Sequence, residues 1–99
     1  MKVTIRYFDG CPNWQVADTR MREALLATSA EAEVAYELVE TQEQAERLRF
    51  TGSPTILLDG ADPFPAETQS FGLTCRIYRT EAGNEGSPSV QQLIAALGR

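Results

Sequence analysis

Between Val3 and Leu38 the apolar positions change period twice, and this constrains the fold more than any other feature of the chain. Val3, Ile5 and Tyr7 alternate with Thr4, Arg6 and Phe8, the two-residue period of a strand. From Pro12 to about Ser29, Trp14, Ala17, Met21, Leu25 and Thr28 recur at spacings of three and four, which is one face of a helix. Pro12 suits the first turn of that helix, where a missing N–H loses no intrahelical bond. Residues 33 to 39 alternate again, with Val34, Tyr36 and Leu38 against Glu33, Ala35 and Glu37. Strand, helix and strand in succession favour a parallel pair joined by a right-handed crossover.

The rest of the chain extends the pattern. Thr41-Gln42-Glu43-Gln44 has the spacing of a capping box and predicts a short helix over 42–49 with a thin apolar face, Ala45 and Leu48. Gly52-Ser53-Pro54 breaks the chain, and Thr55 to Asp59 reads as a buried strand. Residues 60–73, with Pro63, Pro65, Phe64 and Phe71, read as a long loop whose two rings fold back to cover a sheet edge. Thr74 to Arg79 is the next strand, and Ala82 to Gly86 a turn. Ser87-Pro88 then caps a last helix with Val90, Leu93, Ile94 and Leu97 on one face and Gly98 at its end. The expected order is β-α-β-α-β-β-α in a single α/β domain spanning 1–99: a four-stranded mixed sheet flanked by three helices, its last two strands antiparallel.

Composition narrows the function. With 42% hydrophobic and 23% charged residues the chain is of ordinary globular type. No apolar run approaches the roughly 18 residues that span a bilayer, and no segment near the N-terminus reads as a signal peptide, so a cytoplasmic, non-membrane protein is expected. A net charge of −5 argues against a nucleic-acid partner, which needs a concentrated basic face. There is no histidine, which removes Cys–His nucleophile pairs and most zinc sites, and no metal site is expected. Arg6, mid-strand on the polar face, is expected to pair with Glu37. Chemistry then falls to thiols, carboxylates or backbone groups, and the two thiols are Cys11 and Cys75.

Cys11-Pro12-Asn13-Trp14 at the first strand-to-helix turn and Gly52-Ser53-Pro54-Thr55 before the third strand, taken in that order within this strand pattern, resemble the thioredoxin-like superfamily in its small, glutaredoxin-like form. The resemblance covers nearly the whole chain. It implies a cis bond between Ser53 and Pro54 beside the active cysteine. It also implies a catalytic Cys11, with Pro12, Trp14, Ser53, Pro54 and Thr55 forming the binding surface around it. Glutathione is the co-substrate it implies; no other cofactor is expected. In glutaredoxin-like proteins the turn at 82–86 helps to hold glutathione's carboxylates, but here Glu81 and Glu85 flank it.

The motif departs from the family's at Trp14, which stands where a dithiol enzyme carries its resolving cysteine; an indole cannot attack a sulfur. Positions 11 and 14 share a helix face, so Trp14 is expected to flank the sulfur. A thiol at a helix N-terminus is favoured as thiolate, whereas Asp9, two residues away, opposes it. Cys75 is expected to be structural. If 74–79 pairs with 55–59 throughout, Cys75 lies beside Asp59, roughly 15 Å from the Cys11 end, beyond the roughly 7 Å Cα separation of a disulfide. The leading expectation is a thioredoxin-like monothiol protein that performs thiol–disulfide redox or mixed-disulfide chemistry at Cys11 with a protein or small thiol or disulfide partner. Its alternative is a non-catalytic thioredoxin-fold module for protein binding or homodimerisation. A third, lower reading is soft-metal or organomercurial handling, because some small proteins of this look are classed as alkylmercury lyases. Whether the chain is an enzyme stays open at this point.

Overall fold

The computed structural model of the chain describes residues 1–64 and 70–98. In order the elements are β1 (Lys2–Tyr7), α1 (Asn13–Thr28), β2 (Glu33–Leu38), α2 (Gln42–Leu48), β3 (Thr55–Leu58), β4 (Tyr78–Thr80), β5 (Gly83–Glu85) and α3 (Val90–Leu97). It is a mixed α/β structure with three helices, a three-stranded sheet ordered β2-β1-β3 and a separate two-stranded ribbon, β4-β5. β1 pairs with β2 in parallel, Val3 opposite Val34 and Ile5 opposite Tyr36, as the strand–helix–strand pattern requires. β1 pairs with β3 antiparallel, Ile5 opposite Ile56. Val3 and Ile5 bury against Ala17, Met21 and Ala24 of α1 and Leu93 and Leu97 of α3, so both helices cover one face of the sheet. On the other face α2 helps to form a smaller cluster of Val39, Ala45 and Phe50, joined by Phe8, Leu48 and Leu73. Beyond the reach of α2, Lys2, Thr4, Arg6, Ala35, Glu37 and Leu57 line an open trough. Arg6 bridges to Glu37 as expected and donates a second bond to the Leu48 carbonyl at 3.2 Å, where α2 ends.

The four-stranded sheet expected from the sequence does not form. Thr74–Ile77 does not run as a strand against β3. It meets the chain one step earlier, through an isolated parallel bridge between Cys75 and Ser53. Ser53 N–H donates to the Thr74 carbonyl at 2.8 Å, and Arg76 N–H donates to the Ser53 carbonyl at 2.9 Å. The chain then turns away, and β4 begins only at Tyr78 to pair with β5. The reason is backbone satisfaction: the polar groups of Ser53 are fully buried and need partners. Residues 74–76 supply them in a direction that cannot be extended along β3. Phe64 packs against the main core and meets Tyr78 edge-on at 5.9 Å, as a ring covering an edge should. The centre of the loop, with Pro65, lies outside the described residues.

The last helix also starts later than Ser87-Pro88 suggests. Its N-cap is Ser89, whose hydroxyl accepts from Gln92 N–H at 3.1 Å while the Gln92 side chain accepts from Ser89 N–H at 3.0 Å. This reciprocal box satisfies two otherwise unpaired donors, and Ser87 instead bonds the Pro88 carbonyl. Ser89→Ala is expected to cost about 1 kcal/mol, read as a lower denaturation midpoint with an unchanged slope.

Candidate functional site

The turn from β1 into α1 carries Cys11, whose N–H donates to the Phe8 carbonyl at 3.2 Å. Cys11 is fully buried. Its sulfur approaches the Ser53 carbonyl oxygen at 3.6 Å, so the two motifs singled out in the sequence meet in space. The Ser53–Pro54 peptide is cis. Ser53 and Pro54 are buried with it, and the Ser53 hydroxyl has no hydrogen-bond partner among the described residues. Thr55 is buried too, and its hydroxyl turns back to donate to the Gly52 carbonyl at 2.6 Å, which steadies the turn. Pro12 is exposed at the N-cap of α1.

Trp14, expected to flank the sulfur, packs into an aromatic group. Its indole stacks on Tyr7 with centroids 4.3 Å apart and meets Tyr36 edge-on at 6.0 Å. Such pairs are worth about 0.5–1.5 kcal/mol beyond their burial, and Tyr7 at the end of β1 is within reach of the first turn of α1. The stack was legible as an aromatic at each end of one turn.

Cys75 is the larger correction. Its sulfur lies 2.9 Å from that of Cys11, not at the far end of the sheet. The earlier placement assumed an unbroken antiparallel pairing of 74–79 with β3; the single bridge to Ser53 replaces that pairing and brings Cys75 to the cysteine turn. Cys75 is exposed and Cys11 is buried, so Cys75 forms the solvent side of the pair. The Cys75 thiol is shifted upward, first by its hydrogen bond to the Cys11 sulfur, then by partial burial, then by negative charge on Cys11.

Several contacts hold the 74–78 segment in place. Gly52 has φ +137°, and a Cβ there would lie 2.9 Å from Cβ of Arg76, so only glycine lets the two segments approach this closely. Arg76 is buried and pairs with Asp62 at 2.8 Å, its guanidinium 4.5 Å from the Tyr78 ring centre. The Tyr78 hydroxyl donates to the Pro54 carbonyl, and burial pushes that phenol far above its ordinary value. Arg76 and Tyr78 carried no signal of this role in the sequence, and Gly52, named there only as a chain breaker and motif residue, was the one mark of the close approach.

Residues 83–85, expected to belong to a turn, form β5 instead, and the end of that strand reaches the cysteine turn, since a Cβ on Gly86 would collide with the Asn13 side chain. The acids there are occupied: Glu85 pairs with Arg20 at 2.6 Å, and Glu81 accepts from the Ser89 hydroxyl at 2.7 Å. Among the described residues no group of three or more His, Cys, Asp or Glu is placed to hold a metal ion, and no helix is long and apolar enough to cross a membrane.

Gly52→Ala is expected to cost about 2 kcal/mol or more, from the positive φ and the contact with Arg76 together, measured by denaturant unfolding. The upward shift of Cys75 gives a second expectation. Because its thiol form is favoured in the fold, alkylation of Cys75 at neutral pH is slower than that of an ordinary exposed thiol. Its rate keeps climbing with pH beyond the ordinary thiol range. Cys11→Ala removes the main cause and moves the rate–pH profile of Cys75 to lower pH; an unmoved profile would show that Cys11 is not what holds the proton there. Compared with known proteins, the chain matches no family model, no curated protein and no solved structure.

Proposed function

We propose that this chain is a thioredoxin-like thiol protein that performs thiol–disulfide chemistry at Cys11, with Ser53 and Pro54 positioning the partner and glutathione or a protein disulfide as co-substrate. The observation that carries the reading is the contact of the Cys11 sulfur, at the β1–α1 turn, with the Ser53 carbonyl of the turn before β3. The parallel β1–β2 pair and the antiparallel β3 support the thioredoxin-like reading of the fold. The separate β4–β5 ribbon departs from it, and the departure concerns the edge that residues 74–76 would otherwise occupy.

The complete burial of Cys11 favours a second reading, a non-catalytic binding module using the same face. Ile77, 71% exposed two residues past Cys75, is the apolar contact such a module would offer. Soft-metal handling loses the objection that the thiols are apart, but they supply two ligands only, and cleavage of a carbon–mercury bond needs a proton donor as well. Among the described residues the polar contacts of the two sulfurs are the Ser53 carbonyl and each other.

The pH dependence of Cys11 alkylation in a Cys75→Ser variant separates the first two readings. The expected outcome is labelling of the folded protein near neutrality, at a rate exceeding that of the same cysteine in denaturant at equal pH. Labelling that accelerates only on unfolding would retire the redox reading and leave the binding module.

A further inference from the structure

Two cysteines far apart in sequence meet here without a Cys-x-x-Cys motif, and the approach is built by several independent contacts. The Sγ–Sγ separation of 2.9 Å is closer than two unbonded sulfurs normally come and longer than the roughly 2.05 Å of a disulfide. The backbone exchange between Ser53 and residues 74–76 fixes the position of Cys75 along the turn. Gly52 makes room for it, and the Arg76–Asp62 pair anchors the next residue in the interior. A contact between two exposed side chains would have no such support. The cysteine of this anchored segment faces solvent.

We infer that Cys75 is the second redox thiol of this site and closes a reversible disulfide with Cys11, doing from the loop what position 14 does in a dithiol motif. This rests on the thiol–disulfide reading above and changes its type from monothiol to dithiol. The Cys11 thiolate attacks an external disulfide, RSSR; the Cys11–SR bond forms, the S–S bond of RSSR breaks, and one RS⁻ leaves and takes up a proton. The Cys75 thiol gives its proton to the solvent. Its sulfur then attacks that of Cys11, forming the Cys11–Cys75 bond and breaking Cys11–SR, and the second RS⁻ leaves and is protonated. In sum, two protein thiols are oxidised to one disulfide and RSSR is reduced to two RSH. The reverse sequence, driven by an external thiol, restores the pair. Trp14 then needs no thiol chemistry, which agrees with its place in the stack with Tyr7.

The test uses the wild-type protein, so it does not depend on a variant folding. Reduced protein is equilibrated with mixtures of reduced and oxidised glutathione, quenched in acid, alkylated and read by intact mass and peptide mapping. The expected oxidised species has no alkylated cysteine, carries no glutathione and contains a Cys11–Cys75 link. Under the same mixtures Cys75→Ser accumulates a glutathione adduct on Cys11 that wild type does not retain. If wild type instead accumulates the Cys11–glutathione adduct while Cys75 stays open to alkylation, the inference is overturned and the monothiol reading survives. Disulfide-linked dimers through Cys75 would overturn it as well. If Cys11 stays unmodified in both folded proteins at every ratio, this inference and the thiol–disulfide reading fall together.

Discussion

The exchange of two backbone hydrogen bonds between Ser53 and residues 74–76 is the constraint on which the rest of the site depends. Each such bond has a net worth of only about 0.5–1.5 kcal/mol, but leaving a buried amide or carbonyl unpaired costs about 1–3. Ser53 is fully buried, so its main chain needs these partners whatever the surrounding segments do. Once residues 74–76 provide them, three consequences follow. Cys75 is carried to Cys11, Arg76 is drawn inside, and the chain is aimed away from β3, so that β4 finds its ladder in β5. The departure of β4 from β3 and the meeting of the thiols are thus one event seen from two sides.

Arg76 makes that arrangement costly to undo by halves. A buried guanidinium without its partner costs several kcal/mol, whereas the intact pair contributes little by itself. Asp62 and the face of Tyr78 give the charge a place, and the Tyr78 hydroxyl returns to the carbonyl of Pro54, closing the circuit at the turn where it began. The circuit specifies position more than it adds stability. For a thiol pair that is the useful property, because attack of one sulfur on another tolerates little misplacement.

What the sequence made legible was local or periodic. The strands β1 and β2 and the helix between them followed from alternating and helical spacing, and α2 from a threonine three residues ahead of a glutamine. The Arg6–Glu37 pair followed from one charged residue on a strand face thinly covered by α2. The meeting of Cys11 with Ser53 came with the resemblance, which supplied a spatial relation that spacing alone could not. The position of Cys75 was hidden because it depends on the direction in which a long segment returns. Residues 74–79 alternate acceptably for a strand, and an antiparallel pairing with β3 was the simplest register. A single parallel bridge leaves no periodic trace. Gly52 was its one mark in the sequence: a glycine where a side chain would have kept the two segments apart. For Trp14 the position along the helix was legible, and the stack with Tyr7 sets how its ring lies.

The sequence separation of the two thiols bears on what a bond between them would do. Cys11 and Cys75 are 64 positions apart, and a link closing a loop of that size lowers the unfolded chain's entropy by the equivalent of about 4 kcal/mol. By linkage the same quantity favours the disulfide in the folded chain by about three powers of ten over the unfolded one, at about 1.4 kcal/mol per tenfold. A pair so favoured would be merely structural if both sulfurs were buried, because no reductant would reach it. Here the sulfur on the solvent side is that of Cys75. In the reverse of the closing steps an incoming thiolate bonds to Cys11, and the group it expels is Cys75, which moves out toward solvent without any change in the core. The fold therefore supplies the driving force for closing the pair, and the exposure of Cys75 supplies the route for opening it.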